Sequence, residues 1–266
     1  MGLSDVQTTW EKLGRRDPFW AVLTLRRCKH NRWEPGAFFE TGRREVEEAL
    51  EHVRGLGVEL RFGRALDFGC GVGRLCRGLA ERFDEVVGVD IAAPMLDVAR
   101  QHNRHGDRCR FVLNTRGDLG LFGEGTFDFV YSSITLQHVP PMYSTRYVAE
   151  FFRVLRPGGV ALFQLPAGEA TGDRTPAGRW RRWRRRHVAP WRKRIRGLLG
   201  IPVIDNYPVA RETVESIIAA AGAELLDVAP DASAGRGWES YRYCAMVPAA
   251  RAGRCPAVAQ PAGVIG

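Results

Sequence analysis

The sequence predicts an α/β fold: a doubly wound, mostly parallel seven-stranded sheet with helices on both faces and an antiparallel C-terminal hairpin. A basic helical insertion follows the fifth strand. Three observations carry this. Short apolar runs alternate with helix-patterned stretches between Arg64 and Leu165, which is the rhythm of strand–helix–strand units. The run Leu66 to Arg74, Leu-Asp-Phe-Gly-Cys-Gly-Val-Gly-Arg, reads as a strand entering a tight glycine turn beneath a helix N-terminus. Near the C-terminus two strand-like runs are joined only by a loop around Asp231 to Glu239. That is too short for a helical crossover, so they pair antiparallel.

The elements follow in order. Residues 1–36 form an extension rich in aromatics, with Trp10, Phe19, Trp20 and Trp33. Ala37 to Val53 reads as a helix with Phe38, Phe39, Val46 and Leu50 on one face and Arg43, Arg44, Glu47 and Glu48 on the other. Arg64 to Phe68 is the first strand. Val72 to Phe83 is a helix with Leu75, Leu79 and Phe83 at i, i+4 and i+8. Glu85 to Asp90 is the second strand, and Ala93 to His105 a helix opened by Pro94. Arg110 to Leu113 and Phe127 to Ser132 are strands three and four. Pro141 to Leu155 is helical, with Tyr147, Phe151, Phe152 and Leu155 turned to the core. Pro157-Gly158-Gly159 predicts a turn, and Val160 to Leu165 the fifth strand. After the insertion at 167–208, a helix from Arg211 to Ala221 stops at Gly222. Ala223 to Val228 and Ser240 to Val247 form the hairpin. The main domain thus spans 37–247, with the insertion at 167–208, and 248–266, rich in Ala, Gly and Pro, reads as a disordered tail.

With 266 residues the core is large enough to need neither disulfides nor metal. Cys28, Cys70, Cys76, Cys109, Cys244 and Cys255 show no C-x-x-C pair or Cys/His ligand spacing, so no metal site is expected and the thiols read as reduced and cytosolic. The N-terminus lacks a signal pattern, and no uncharged run reaches the ~18 residues of a membrane span. Lysine occurs only at 12, 29 and 193, against 36 arginines. Between Arg174 and Arg196 stand ten arginines, one lysine and no acid, leaving 28 basic against 30 acidic residues elsewhere. One segment makes the chain basic.

The glycine turn seats a ligand. A dinucleotide fingerprint, G-x-G-x-x-G, needs a third glycine where this chain has Arg74. No Gly-Lys-Ser/Thr follows, so it is not a P-loop. Asp67 ends the strand just before Gly69; a carboxylate there repels pyrophosphate and attracts an ammonium group. Asp90 ends the next strand, where a carboxylate accepts both ribose hydroxyls. A nucleoside with a cationic amino-acid arm and no phosphate is S-adenosylmethionine.

Leu66 to Gly73, Val87-Gly88-Val89-Asp90, Phe127 to Ser133 with Leu136-Gln137-His138-Val139, and Arg153 to Gly159 together resemble the class I S-adenosylmethionine-dependent methyltransferases, over about residues 37 to 166. That family has a Rossmann-like sheet with an antiparallel seventh strand. The ends resemble a bacterial glycan and specialised-metabolite subgroup through Asp17-Pro18-Phe19-Trp20, Ala37-Phe38-Phe39 with Gly42, and Trp238 to Tyr243. The resemblance implies that Asp67, Gly69, Cys70, Gly71 and Asp90 bind the cofactor and that Ile91 packs on adenine. The adenine amino group falls to Asn114, where relatives carry an acid, or to Asp118-Leu119. Ser132 and Ser133 would line the site through backbone groups. Gly42 and Arg43 are candidates for the cofactor carboxylate, with a solvated helix face as the alternative for Arg43.

An oxygen or nitrogen acceptor loses a proton on methylation, and His138, just past the fourth strand at the ligand-binding edge, is the candidate base; a structural histidine is the alternative. The expected reaction is in-line O-methylation of a sugar or specialised metabolite by a cytoplasmic enzyme. The alternatives are an RNA methyltransferase and a non-catalytic cofactor-binding or membrane-associated protein. In the insertion Trp180, Trp183, Trp191 and Ile195 recur at near-helical spacing, broken at Pro190. This stretch reads as a lid packing its tryptophans over the site, as a peripheral membrane contact through 180–199, or, less favoured, as a nucleic-acid grip.

Overall fold

The computed structural model describes residues 2–170, 175–188, 191, 194–195, 201–235 and 237–249. Successive residues of a strand point to opposite sheet faces. Here both faces are covered, so strands such as Phe127–Ser132 are apolar almost throughout. The strands are β1 (Arg64–Phe68), β2 (Glu85–Asp90), β3 (Cys109–Leu113), β4 (Phe127–Ser132), β5 (Leu155–Glu169), β6 (Glu224–Pro230) and β7 (Trp238–Met246). They form one sheet in the order β3-β2-β1-β4-β5-β7-β6. β1 to β5 pair in parallel, while β7 is antiparallel to both neighbours, β5 and β6. The order reverses between β1 and β4, which opens a crevice at their C-terminal ends.

Helices α1 (Leu3–Arg16), α2 (Pro18–Val22) and α3 (Pro35–Gly55) precede the sheet. Between strands lie α4 (Arg74–Leu79), α5 (Ala93–Gln101) and α6 (Pro141–Val154). α7 (Pro176–His187) belongs to the insertion and α8 (Arg211–Ala220) precedes the hairpin. α3 starts where Pro35 occupies the first turn and the Glu34 carboxylate accepts from the Gly36 and Ala37 amides, which would otherwise lack partners. One core cluster packs Leu66, Phe68, Val130 and Phe163 against α6 and α8. The other packs Ala65, Val86, Phe129 and Leu162 against α3 and α4.

Strands β1, β2 and β4 coincide with their sequence-derived bounds. The fifth strand does not begin after a turn. Pro157-Gly158-Gly159 is a bulge inside β5: the register with β4 shifts between Phe127/Leu155 and Phe129/Val160, Gly158 takes φ +80°, and its amide donates to Val247 O at 2.8 Å. The antiparallel partner β7 supplies hydrogen bonds that hold this segment in the sheet. α4 is shorter than expected at both ends: Gly73, at φ +78°, caps it two residues late, and it stops at Leu79, four residues before Phe83. The expected break at Pro190 and the tail from residue 250 lie outside the described residues.

Candidate active site

The turn after β1 takes its shape from backbone conformations that favour glycine. Gly69, Gly71 and Gly73 have φ of +75°, +53° and +78°. A Cβ on Gly69 would stand 2.0 Å from Thr135 Cγ2, and one on Gly71 2.9 Å from Val22 Cγ2. The turn is pinned beside β2: the Gly69 and Cys70 amides donate to Val89 O at 2.7 and 3.0 Å. The Asp90 carboxylate accepts from the Gly71 amide and the Ala92 amide, both at 2.8 Å.

Above this turn lies a cavity of about 860 Å³, its open mouth included. Gly69, Gly71, Asp90, Ile91 and Asn114 line it, as does His138. Burial raises the Asp90 pKa, and the two amides oppose that rise. With one bond accepted on each oxygen, the carboxylate keeps lone pairs for further donors. Asn114 is held by donating to Asp118 O at 2.8 Å and accepting from the Arg116 amide at 3.0 Å.

Other candidates are placed elsewhere. Asp67 is fully buried behind the turn and does not line the cavity. One of its oxygens accepts the Cys76 thiol at 3.1 Å; Oδ1 has no hydrogen-bond partner. Burial pushes its pKa up to about 7, against the pull of Cys76 and Arg74. Cys70 turns its thiol into the apolar core, and burial raises its pKa to about 12. Ser132 is buried, donating to Phe68 O at 3.1 Å, and its neighbour Ser133 lines the cavity instead. Asp118 points outward to Arg146 at 2.8 Å. Leu119 is core, and its amide already donates to Glu150 at 2.9 Å. The Asp118-Leu119 route to adenine is therefore occupied by structural partners. Arg43 lies on the solvated face of α3, paired with Glu40 and Glu47. Gly42 is needed for close packing, since a Cβ there would lie 2.2 Å from Arg74 O.

His138 sits in a one-turn helix (Leu136–His138). Its Nδ1 is 2.8 Å from Asp205 O and its Nε2 is 3.1 Å from Gln137 Nε2. The Asp205 carbonyl accepts only and the Gln137 amide nitrogen donates only, a pair of contacts that favours the neutral ring with its proton on Nδ1 and a lone pair on Nε2 over the other tautomer. Burial lowers its pKa below 6.5, which favours that neutral form. Gln137 is itself oriented by Gln164, whose Nε2 donates to Gln137 Oε1 at 3.2 Å and to Ser240 Oγ at 2.6 Å.

Several lining residues carried no sequence signal. Leu3, Val6 and Trp10 of α1, with Ala21 and Val22, wall the cavity, and the Trp10 ring lies 5.3 Å from that of His138. The N-terminal extension, not the tryptophans of α7, covers the site: Trp180 and Trp183 remain 56% and 55% exposed. Arg74 lines the cavity although it is almost wholly buried, its guanidinium 2.7 Å from Glu45. Ile134 adopts φ +58°, a strained conformation for a β-branched residue of the kind found at functional sites.

Residues 65–159 match a family described as "Methyltransferase domain". Over 119 residues the chain is 35% identical to a malonyl-(acyl-carrier protein) O-methyltransferase of Serratia marcescens, covering 44% of each chain. It is 32% identical over 137 residues to a trans-aconitate 2-methyltransferase of Deinococcus radiodurans, covering 51% of this chain and 50% of that one. The chain spans about half the length of these curated relatives. The fold is shared with magnesium protoporphyrin IX methyltransferase from Synechocystis PCC 6803 (TM-score 0.57, 19% identity), covering 91% of this chain and 98% of that one. With the glycine turn and the reversed strand order, these matches show that residues 65–159 belong to the methyltransferase-domain family and that the chain around them shares the fold of methyltransferases of known structure.

Proposed function

We propose that this protein transfers a methyl group from S-adenosylmethionine to a hydroxyl of a small molecule, a sugar or specialised metabolite, with residues 37–247 as its catalytic unit. The observation that carries the reading is the shared wall of two cavities. His138 and Trp10 line both the cavity on the glycine turn and a smaller one bounded by Val6, Thr9, Val203, Ile204, Asp205 and Tyr207. Cofactor and acceptor would meet at that wall.

The residues present suit the cofactor. Asp90 would hold the ribose, Ile91 and Asn114 the adenine side, and Gly69 and Gly71 leave room for close backbone approach. The orphaned Asp67 Oδ1 lies behind the turn, where a nearby ammonium would favour its ionised form. When bound, S-adenosylmethionine supplies an electrophilic methyl group on sulfur. The chain supplies alignment and dryness: Trp10, Val6 and Val139 exclude water, and the rigid turn fixes the donor end. His138 Nε2, released from Gln137, accepts the acceptor's hydroxyl proton as its oxygen is methylated.

A labelled-methyl assay on small-molecule, glycan, lipid and RNA fractions tests this. Label in small-molecule or glycan acceptors, lipid-linked ones included, lost in Asp90→Ala, is the expected result. Label confined to RNA, or none in any fraction despite cofactor binding, overturns it.

A further inference from the structure

The insertion leaves and rejoins the body at the edge that carries the site. β5 runs out to Glu169 beyond the C-terminal ends of β1, β2 and β4, and α7 begins at Pro176, its first turn capped by the Thr175 side chain. The returning chain is tied back by the Tyr207 amide on Gln137 O at 2.7 Å and the Val209 amide on Pro166 O at 2.9 Å. Residues 203–207 then wall the His138 cavity.

α7 presents an unusual surface at that edge. It holds six arginines and no acid in twelve residues. Trp180 and Trp183 stand three residues apart, on one side of a helix. Both are more than half exposed. The Arg184 guanidinium lies 5.1 Å over the Trp180 ring, and the His187 ring 5.6 Å from that of Trp183. Exposed indoles on a soluble surface are costly unless something covers them. Indoles flanked by arginines suit the headgroup level of an anionic bilayer, where the ring meets acyl chains and the guanidinium meets phosphate. Single-stranded RNA would match the charge and could stack bases on the indoles, and the competition arm of the test below separates it from lipid. The body offers such a polyanion no continuation of the basic surface, since outside residues 167–208 it carries 28 basic against 27 acidic residues.

We infer that α7 docks this protein on an anionic lipid surface and presents the His138 side of the cavity to an acceptor carried there. The docking stands on α7 alone. The lipid-borne acceptor rests on the methyltransferase reading above.

The test is co-sedimentation of the full chain with phosphatidylcholine vesicles, with and without ~30% phosphatidylglycerol, alongside quenching of tryptophan fluorescence by brominated lipid. Binding only to the anionic vesicles is expected, with quenching. Trp180→Ala/Trp183→Ala should lose the quenching and weaken binding at least ~10-fold, with S-adenosylmethionine affinity and melting temperature unchanged. No sedimentation of the wild type, or binding without quenching that single-stranded RNA competes away, overturns the inference. Neither result bears on methyl transfer, which the labelled-methyl assay reads separately.

Discussion

Asp67→Asn isolates one buried ionisation. Asp67 has no exposed surface, and burial moves its pKa from an ordinary 3.8 to about 7 in the folded protein. In the unfolded chain it returns to the ordinary value. A raised pKa means that the folded state holds the proton more tightly. The associated stability is complete below pH ~4 and is lost as the pH rises through about 7. At ~1.4 kcal/mol per pH unit between the two values, full ionisation costs about 4 kcal/mol, a large share of a typical net stability of ~5–15 kcal/mol. Glu40, Glu85 and Glu150 act with the opposite sign, since their arginine partners lower their pKa values. Their losses fall in more acid solution. Asparagine keeps the size and an acceptor for the Cys76 thiol but cannot ionise. Urea unfolding at pH 5, 6, 7 and 8 should show wild-type stability falling by about 3 kcal/mol, while the variant falls by far less. Parallel curves for the two proteins would refute the reasoning. Cofactor titration gives a second readout. If an ammonium near the turn draws Asp67 into its charged form, wild-type affinity rises from pH 6 to 8 and that of Asp67→Asn does not.

Asp90→Ala removes the carboxylate proposed to hold the ribose and frees the Gly71 and Ala92 amides; calorimetry should show cofactor affinity reduced at least ~30-fold, about 2 kcal/mol. Gly69→Ala forces a side chain into a left-handed position against Thr135, so thermal unfolding should show a loss above ~1–2 kcal/mol. His138→Ala should lower kcat ~10²–10⁴-fold with cofactor affinity kept. Because burial lowers the His138 pKa, the acid limb of the wild-type kcat profile should lie below 6.5. Gln164→Leu removes the donor that orients Gln137 and should shift that limb without changing cofactor affinity; an unmoved limb would count against the tautomer assignment.

Local pattern sufficed where one feature decides an element by itself. Apolar runs bounded by turn signals placed β1, β2 and β4, and the spacing of glycines and acids marked Gly69, Gly71 and Asp90 at the cavity. Tertiary structure decided the rest. Asp67 is one residue from Phe68 in sequence, but strand alternation turns it to the sheet face away from Leu66 and Phe68, among Cys76 and Arg74. Of the two serines expected at the site, only Ser133 lines the cavity, because Ser132 ends β4 with its hydroxyl turned to Phe68 O. Asp118 and Leu119 are claimed by Arg146 and Glu150 from α6, partners far off in the chain. The basic tryptophan helix drew attention as a cover, yet α1 and α2 wall the cavity, because the apolar faces of Leu3, Val6 and Trp10 find their partners only when the sheet edge is assembled. Sequence alone marked the glycine turn and the Asp90 carboxylate beside it, since a tight turn and its flanking acid are local chemistry. The walls around His138 required the folded chain, because they are built from α1, the loop after β4 and the returning insertion, which are brought together only by the core beneath them.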